Sequence, residues 1–217
     1  MKISVVKNIL EANQRIAGEN RQLFSRNQLL VINLMSSPGA GKTSLLEKTI
    51  LALKGRFRIG VVEGDIQSTH DAERIGRTGA PAVQINTGGA CHLDSNMVQE
   101  ALKSLDLASL DLLFIENVGN LVCPAEFTLG EDFKAMILSV AEGDDKPLKY
   151  PLMFHESRVL LINKIDLLPF CDCSPDLIEE RARKINPNLA IFRVSCRTGE
   201  GLDRWTDWLK NQVKPRK

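Results

Sequence analysis

The chain lacks any marked charge imbalance: among 217 residues, 28 Lys and Arg stand against 27 Asp and Glu, a net charge of +1. Without a basic excess, a nucleic-acid-binding surface is not expected. No apolar run approaches the ~18 residues that signal a membrane span. The N-terminus, MKISVVKNILEANQRIAGEN, turns polar within a few residues and has no signal-peptide core. A cytoplasmic protein is the expectation, with neither nucleic acid nor membrane as partner. There is no internal repeat, low-complexity tract or second domain. In that compartment the five cysteines argue against structural disulfides and leave metal binding, catalysis or packing.

What is present is organised around residues 29–43, LLVINLMSSPGAGKT. Residues 29–35 have the length and apolarity of a buried strand. The turn SSPGAGKT follows and runs into Leu45-Leu46-Glu47-Lys48, a good helix former. Strand, glycine-rich turn, Gly-Lys-Thr and helix make the context of a phosphate-binding P-loop. Gly39 and Gly41 let the backbone curl so that its N–H groups face an anion. The helix N-terminus adds free N–H groups and partial positive charge. Gly39, Ala40, Gly41, Lys42, Thr43 and Ser44 form the expected cradle. Lys42 bridges the β- and γ-phosphates and Thr43 ligates Mg²⁺ in this reading. One position departs from G-x-x-x-x-G-K-[ST]: Ser36 stands where glycine is usual.

Along the rest of the chain, strands alternate with helices. Residues 1–28 carry Val5, Ile9, Ala12, Ile16 and Leu23 at helical spacing, an amphipathic helix that docks on the domain or on a partner. Residues 29–217 make up the nucleotide-binding domain. Strands are expected at 57–63, 82–86, 112–116, 134–140, 158–162 and 189–194, and helices at 94–105, 176–185 and 202–213. A polar connection is expected over 142–151. The pattern predicts an α/β fold, a doubly wound, mostly parallel sheet with helices on both faces.

Asp65 follows the second strand, where ligand loops of open α/β sheets emerge. It is a candidate Mg²⁺ contact or a cap for a helix starting near Ser68. Glu116 ends an apolar strand, the place of the acid that reaches Mg²⁺ in P-loop enzymes. Gly119, three residues on, can offer its N–H to the γ-phosphate, so that phosphate orders the loop. Lys42, Asp65 and Gly119 are the catalytic candidates. Asn120 lies near where some GTPases place a water-orienting Gln, and no Arg is evident as a finger in cis, so slow hydrolysis is expected.

Asn163-Lys164-Ile165-Asp166 lies at a later strand end. The Asp166 carboxylate can accept from both the N1–H and the amine of guanine. Adenine presents no such donor pair, so ATP leaves a carboxylate unpaired at a cost of a few kcal/mol. Asn163 reaches the other edge of the base, the Lys164 stem covers its face, and Ser195-Cys196-Arg197 supplies a backbone N–H. Behind a P-loop, this set selects GTP and its product GDP over adenine nucleotides, and leaves a small-molecule kinase unsupported.

Cys91-His92 sits in a glycine-rich turn past one strand, and Cys123 lies seven residues past Glu116. Thiolate and imidazole suit Zn²⁺ and Ni²⁺. Three ligands do not close a tetrahedral site, so water or a second subunit must complete it, and a two-fold dimer can bring two sets together. From the residues alone, an incidental Cys-His pair remains open. Cys171 and Cys173 form a C-x-C with no histidine nearby, a poor site. Cys196 belongs to the base loop, and His70 and His155 are unassigned.

With these motifs placed, the chain resembles the hydrogenase nickel-incorporation GTPases of the HypB family, in the metal-linked branch of P-loop GTPases. The resemblance runs from about residue 29 to the end. It rests on NLMSSPGAGKTSLLE, EGDIQSTHDAERI, NTGGACHLD, FIENVGNLVCPAEFTLGE, EGDDKPLKYP, NKIDLLP and SCRTGEGL. The family shares the Ser36 departure. The resemblance implies a domain that dimerises with nucleotide and metal, slow GTP hydrolysis linked to nickel delivery, and a metal site at Cys91, His92 and Cys123. It implies a hydrogenase large-subunit precursor and a companion nickel-binding maturation protein as partners. The family's optional N-terminal cysteine motif and histidine-rich tract are not in this sequence, nor is an early P-loop lysine that some relatives use across the dimer. A urease-type nickel GTPase is the nearest alternative, though that family carries Cys-Pro-His. A GTP-latched metal-binding module with little turnover is another.

Overall fold

The computed structural model describes residues 5–65 and 70–213. Seven strands form one sheet: β1 (Leu30–Ser36), β2 (Ile59–Asp65), β3 (Ala82–Asn86), β4 (Leu112–Glu116), β5 (Phe133–Ser139), β6 (Ser157–Asn163) and β7 (Ala190–Arg193). Their order is β3-β2-β4-β1-β5-β6-β7, and every neighbouring pair is parallel. The helices are α1 (Val5–Arg26), α2 (Lys42–Leu53), α3 (His70–Gly76), α4 (Ser95–Leu102), α5 (Cys123–Glu126), α6 (Lys146–Lys149), α7 (Pro151–Glu156), α8 (Pro175–Ile185) and α9 (Leu202–Lys210).

Helices cover both faces, so the central strands are apolar on both sides. Ile32 and Leu34 of β1 join the core under α2 and α9. Val31 of β1 joins Phe24 of α1 and Val98 of α4 on the opposite face. Met35 joins Phe154 of α7 and Ile178 of α8. Trp205 of α9 is fully buried and its indole N–H donates to Thr49 of α2 at 3.0 Å. After β1 the chain builds outward to β2 and β3, returns with β4, then crosses β1 to start β5. The sheet order therefore reverses at the C-terminal end of β1, where open α/β sheets bind ligands.

Two local expectations change. Residues 142–151 are not a plain polar connection: they hold α6 and the start of α7, each with proline in its first turn. Proline there loses no helical hydrogen bond. In α1 the buried face is Asn13, Ala17, Asn20 and Phe24, while Ile9 is 52% exposed. The apolar spacing pointed to a stripe one position round the helix. Tertiary hydrogen bonds decide instead: Asn20 Nδ2 donates to Ser95 O at 2.9 Å and Leu129 O at 3.2 Å, and Asn13 holds Ser95 N at 2.8 Å and Thr128 O at 2.8 Å. The expected helix start near Ser68 lies outside the described residues. Among the described residues no helix is long and apolar enough to cross a membrane.

Candidate nucleotide and metal site

Gly41 occupies the N-cap of α2 at φ 103°, in the left-handed region. A Cβ there would lie 2.5 Å from Asn163 Nδ2. Glycine is required both by conformation and by space. No side chain caps α2, so its first N–H groups are left for an anion. Lys42 Nζ rests on Ser36 Oγ at 3.1 Å, and burial lowers its pKa while Glu116 pulls it back up. Ser36 is buried, and its hydroxyl supplies a partner that glycine at this position could not. Glu142 also reaches the P-loop: it accepts from the Ser37 hydroxyl and, at 2.8 Å, from Ser139 N.

Acidic groups face the start of α2. Thr43 Oγ1 donates to Glu116 Oε1 at 2.8 Å. Glu63, which the sequence reading passed over, lies beside Glu116 in strand register. Both are buried, and Oε2 of each has no hydrogen-bond partner among the described residues. Two orphaned carboxylate oxygens beside a threonine hydroxyl are the hard donor set that Mg²⁺ takes. Asp65 ends β2 two residues beyond Glu63. The sequence signal for Glu63 was a carboxylate inside the apolar run RIGVVE, where a charge needs a reason. Arg74 was also missed. It donates to Ser44 Oγ at 3.0 Å and pairs with Glu47 at 2.5 Å and Asp71 at 3.1 Å, so its guanidinium is committed to carboxylates.

Burial pushes Glu63 up to about 8, helped by Glu116, and pushes Glu116 up to about 7. Between the ordinary value of 4.5 and those values, the folded state holds protons that the unfolded chain has released. Stability therefore falls as pH rises through that window. Without nucleotide, the melting temperature is expected to drop by roughly 10 °C from about pH 5.5 to 8.5, several kcal/mol at about 2–4 °C each. Glu63→Gln should flatten the slope by half or more. Melting curves across pH decide it, and an unchanged slope in that variant removes Glu63 as the cause.

The base loops close around a cleft of about 350 Å³ lined by Gly41, Ser44, Asn163, Lys164, Asp166 and Arg197, with Leu167 and Cys196 adding apolar surface. Asn163 turns toward the P-loop: its Nδ2 donates to Ala40 O at 2.9 Å and its Oδ1 accepts from Cys196 N at 3.4 Å. Lys164, at φ 62°, stretches its amine to Gly39 O at 2.7 Å, which lays its stem along the cleft. Ser195 Oγ donates to Asp166 Oδ1 at 2.6 Å and fixes that carboxylate.

Cys91, His92 and Cys123 converge, with ligand atoms all within 4.8 Å of one another. The two sulfurs are 3.1 Å apart, and Cys91 Sγ is 3.6 Å from His92 Nδ1. Cys91 and burial raise the Cys123 pKa; burial lowers that of His92 against the opposing pull of Asp94 and Glu126. The His92 ring packs against Phe127, tilted by 37° with 3.9 Å between ring centroids. Asn120 serves this loop: its Nδ2 donates to Cys91 O at 3.2 Å and its Oδ1 accepts from Val122 N at 2.8 Å. Cys123 opens α5 and is continuous with β4 through the loop containing Gly119. A Cβ on Gly119 would come within 2.9 Å of the Pro38 backbone, so this loop lies directly on the P-loop. Cys171 and Cys173 join no such cluster among the described residues.

Comparison with known proteins bears directly on this pairing of sites. Residues 30–193 match the CobW/HypB/UreG nucleotide-binding domain. The hydrogenase maturation factor HypB of Azotobacter vinelandii is 54% identical over 97% of this chain and 69% of that protein. The chain belongs to the HypB hydrogenase maturation factor family. The crystal structure of HypB from Archaeoglobus fulgidus superposes with a TM-score of 0.89 at 38% identity, covering 94% of this chain and 100% of that one. HypB from Helicobacter pylori, solved in complex with nickel, gives 0.87 at 38% identity over 95% and 99% of the two chains. HypB membership accounts for the P-loop fold, the nucleotide-binding domain and a role in hydrogenase maturation.

Proposed function

We propose that the chain is a GTP-hydrolysing metallochaperone that takes Ni²⁺ or Zn²⁺ as cargo at Cys91, His92 and Cys123 and couples GTP hydrolysis to nickel insertion into a hydrogenase precursor. One observation carries this reading: two thiols and an imidazole lie within 4.8 Å, one of the thiols on the loop that leaves the strand ending in Glu116. The nickel-bound relative from Helicobacter pylori supports the choice of cargo. The site acts in the cytoplasm as a homodimer, in which a second copy completes the three-ligand set. The apolar groove of about 460 Å³ between α1 and the His92–Phe127 pair gives a companion nickel-binding protein a place beside the cargo.

In this mechanism Lys42 moves from Ser36 to the β- and γ-phosphate oxygens, and the N–H groups of residues 39–44 cradle the phosphates. Thr43, Asp65 and Glu116 would hold Mg²⁺, with the orphaned Glu63 oxygen beside Glu116 as a further donor. That ion, when bound, offsets the charge on the phosphate oxygens. Gly119 N–H meets the γ-phosphate and places the residues leading to Cys123. Among the described residues no base or arginine finger for the attacking water is evident: Asn120 is engaged with Cys91 and Val122, and Arg74 with Glu47 and Asp71. Turnover without a partner is therefore expected below the ~1 s⁻¹ low end of typical enzymes. Phosphate release from purified protein tests the reading: no release above background with GTP and Mg²⁺ sinks it, and a rate above that limit reveals a missed catalytic group.

Base selection is tested separately. Asp166→Asn replaces an acceptor by a group that sets an amide N–H against the guanine amine. GTP affinity should fall 100-fold or more, about 3 kcal/mol, and xanthosine triphosphate should gain. Nucleotide competition measures both, and unchanged GTP affinity removes Asp166 from the base site.

A further inference from the structure

The loop carrying Cys91 and His92 follows β3 and is separated from β4 by α4, whereas Cys123 lies on the loop that leaves β4. For nucleotide state to reach the whole metal site, a physical joint must link the two. Asn117, the residue after Glu116, is fully buried. Its Oδ1 accepts from Leu93 N at 3.0 Å and from Val118 N at 3.0 Å. Its Nδ2 donates to Asn33 Oδ1 at 3.2 Å, and its backbone N–H to Leu34 O at 2.9 Å, both on β1. One amide thus grips the P-loop strand, the loop toward Gly119 and the residue next to His92.

Leu93 is the other half of the joint. It too is fully buried, and a Cβ on Gly64 would come within 2.7 Å of its side chain. Gly64 lies between Glu63 and Asp65. Leu93 is therefore wedged on the acidic end of β2 while its N–H is held from the end of β4. Close-packed groups of this kind shift together or not at all. We propose that the Asn117–Leu93 joint transmits the nucleotide state to Cys91 and His92, so that both halves of the metal site respond together. Asn117 is a positioning residue that contacts neither ligand. This rests on the coupling reading above and names its part.

The test uses the full chain, Ni²⁺, GDP and a non-hydrolysable GTP analogue. In the wild type, Ni²⁺ affinity should differ tenfold or more between the two nucleotides. In Asn117→Ala that ratio should fall to twofold or less, with affinity for the GTP analogue within threefold of wild type. Asn117→Ser keeps a hydroxyl for Val118 but is too short to reach Leu93, and serves if the alanine variant does not fold. Hydrogen exchange without metal provides a second readout. The GTP analogue should protect amides 91–95 and 117–122 in the wild type, but only 117–122 in the variant. A flat ratio in the wild type defeats the coupling reading itself. A wild-type ratio that persists in both variants, or protection confined to 117–122 in the wild type, overturns the joint alone.

Discussion

Replacing Gly41 by alanine should abolish nucleotide binding, lowering affinity for GDP and for a GTP analogue by more than 100-fold. Two costs combine at this position. Alanine at φ 103° is strained by about 1–2 kcal/mol. Its methyl group would also stand 2.5 Å from Asn163 Nδ2. Asn163 cannot simply swing away, because it is anchored to Ala40 O on one side and Cys196 N on the other. Displacing it breaks the brace between the P-loop and the base loop, and leaves buried polar groups unpaired at about 1–3 kcal/mol each. Gly39→Ala is the internal comparison. Gly39 has φ 72° but nothing within 4 Å of an added Cβ, so only backbone strain applies and affinity should fall by roughly tenfold. Calorimetric titration of both variants decides the matter. Equal losses would show that strain alone matters and that the Asn163 brace does not.

That brace also shows where sequence reasoning stops. The P-loop, the alternation of strands and helices and the Glu116 strand end are local patterns, and residues 82–86 and 112–116 match their observed strands to the residue. Periodicity and turn chemistry are properties of one segment, so one segment reveals them. Cys91, His92 and Cys123 stood out by residue type, but an incidental Cys-His pair stayed open until the family resemblance joined the three. The direction of the Asn163 amide was not legible, because Ala40 is 123 positions away. Asn13 and Asn20 deceived the helical pattern for the same reason: their burial depends on Ser95, Thr128 and Leu129. Glu63 carried a signal, a carboxylate within an apolar strand, but its meaning needed the neighbour Glu116 that sheet order supplies. Arg74 carried none, since its approach to Ser44 depends on how α3 packs on α2.

Cys123→Ala should lower metal affinity by roughly 100-fold while leaving affinity for the GTP analogue within twofold. The size follows from the donor count: structural Zn²⁺ sites of four ligands bind with about 10–16 kcal/mol, or about 3 kcal/mol per ligand, and 2.7 kcal/mol is a factor of about 100. The sparing of nucleotide follows from the geometry, in which Gly119 but not Cys123 lies against the P-loop. The competing account is that Cys123 only packs beneath the loop. Its partial exposure argues against that, because a half-buried thiol fills little core volume and its loss leaves no closed cavity. Packing alone would lower the melting temperature and spare the metal; ligation does the reverse. Metal titration of wild type and variant, each with GDP and with the GTP analogue, separates the two, and equal affinity in wild type and variant would remove Cys123 from the site. Linkage makes a further demand on the same four samples: if the GTP analogue changes metal affinity in the wild type, metal must change affinity for the analogue by the same factor. In the variant both factors should shrink together, since the loop ordered by the γ-phosphate then no longer ends in a ligand.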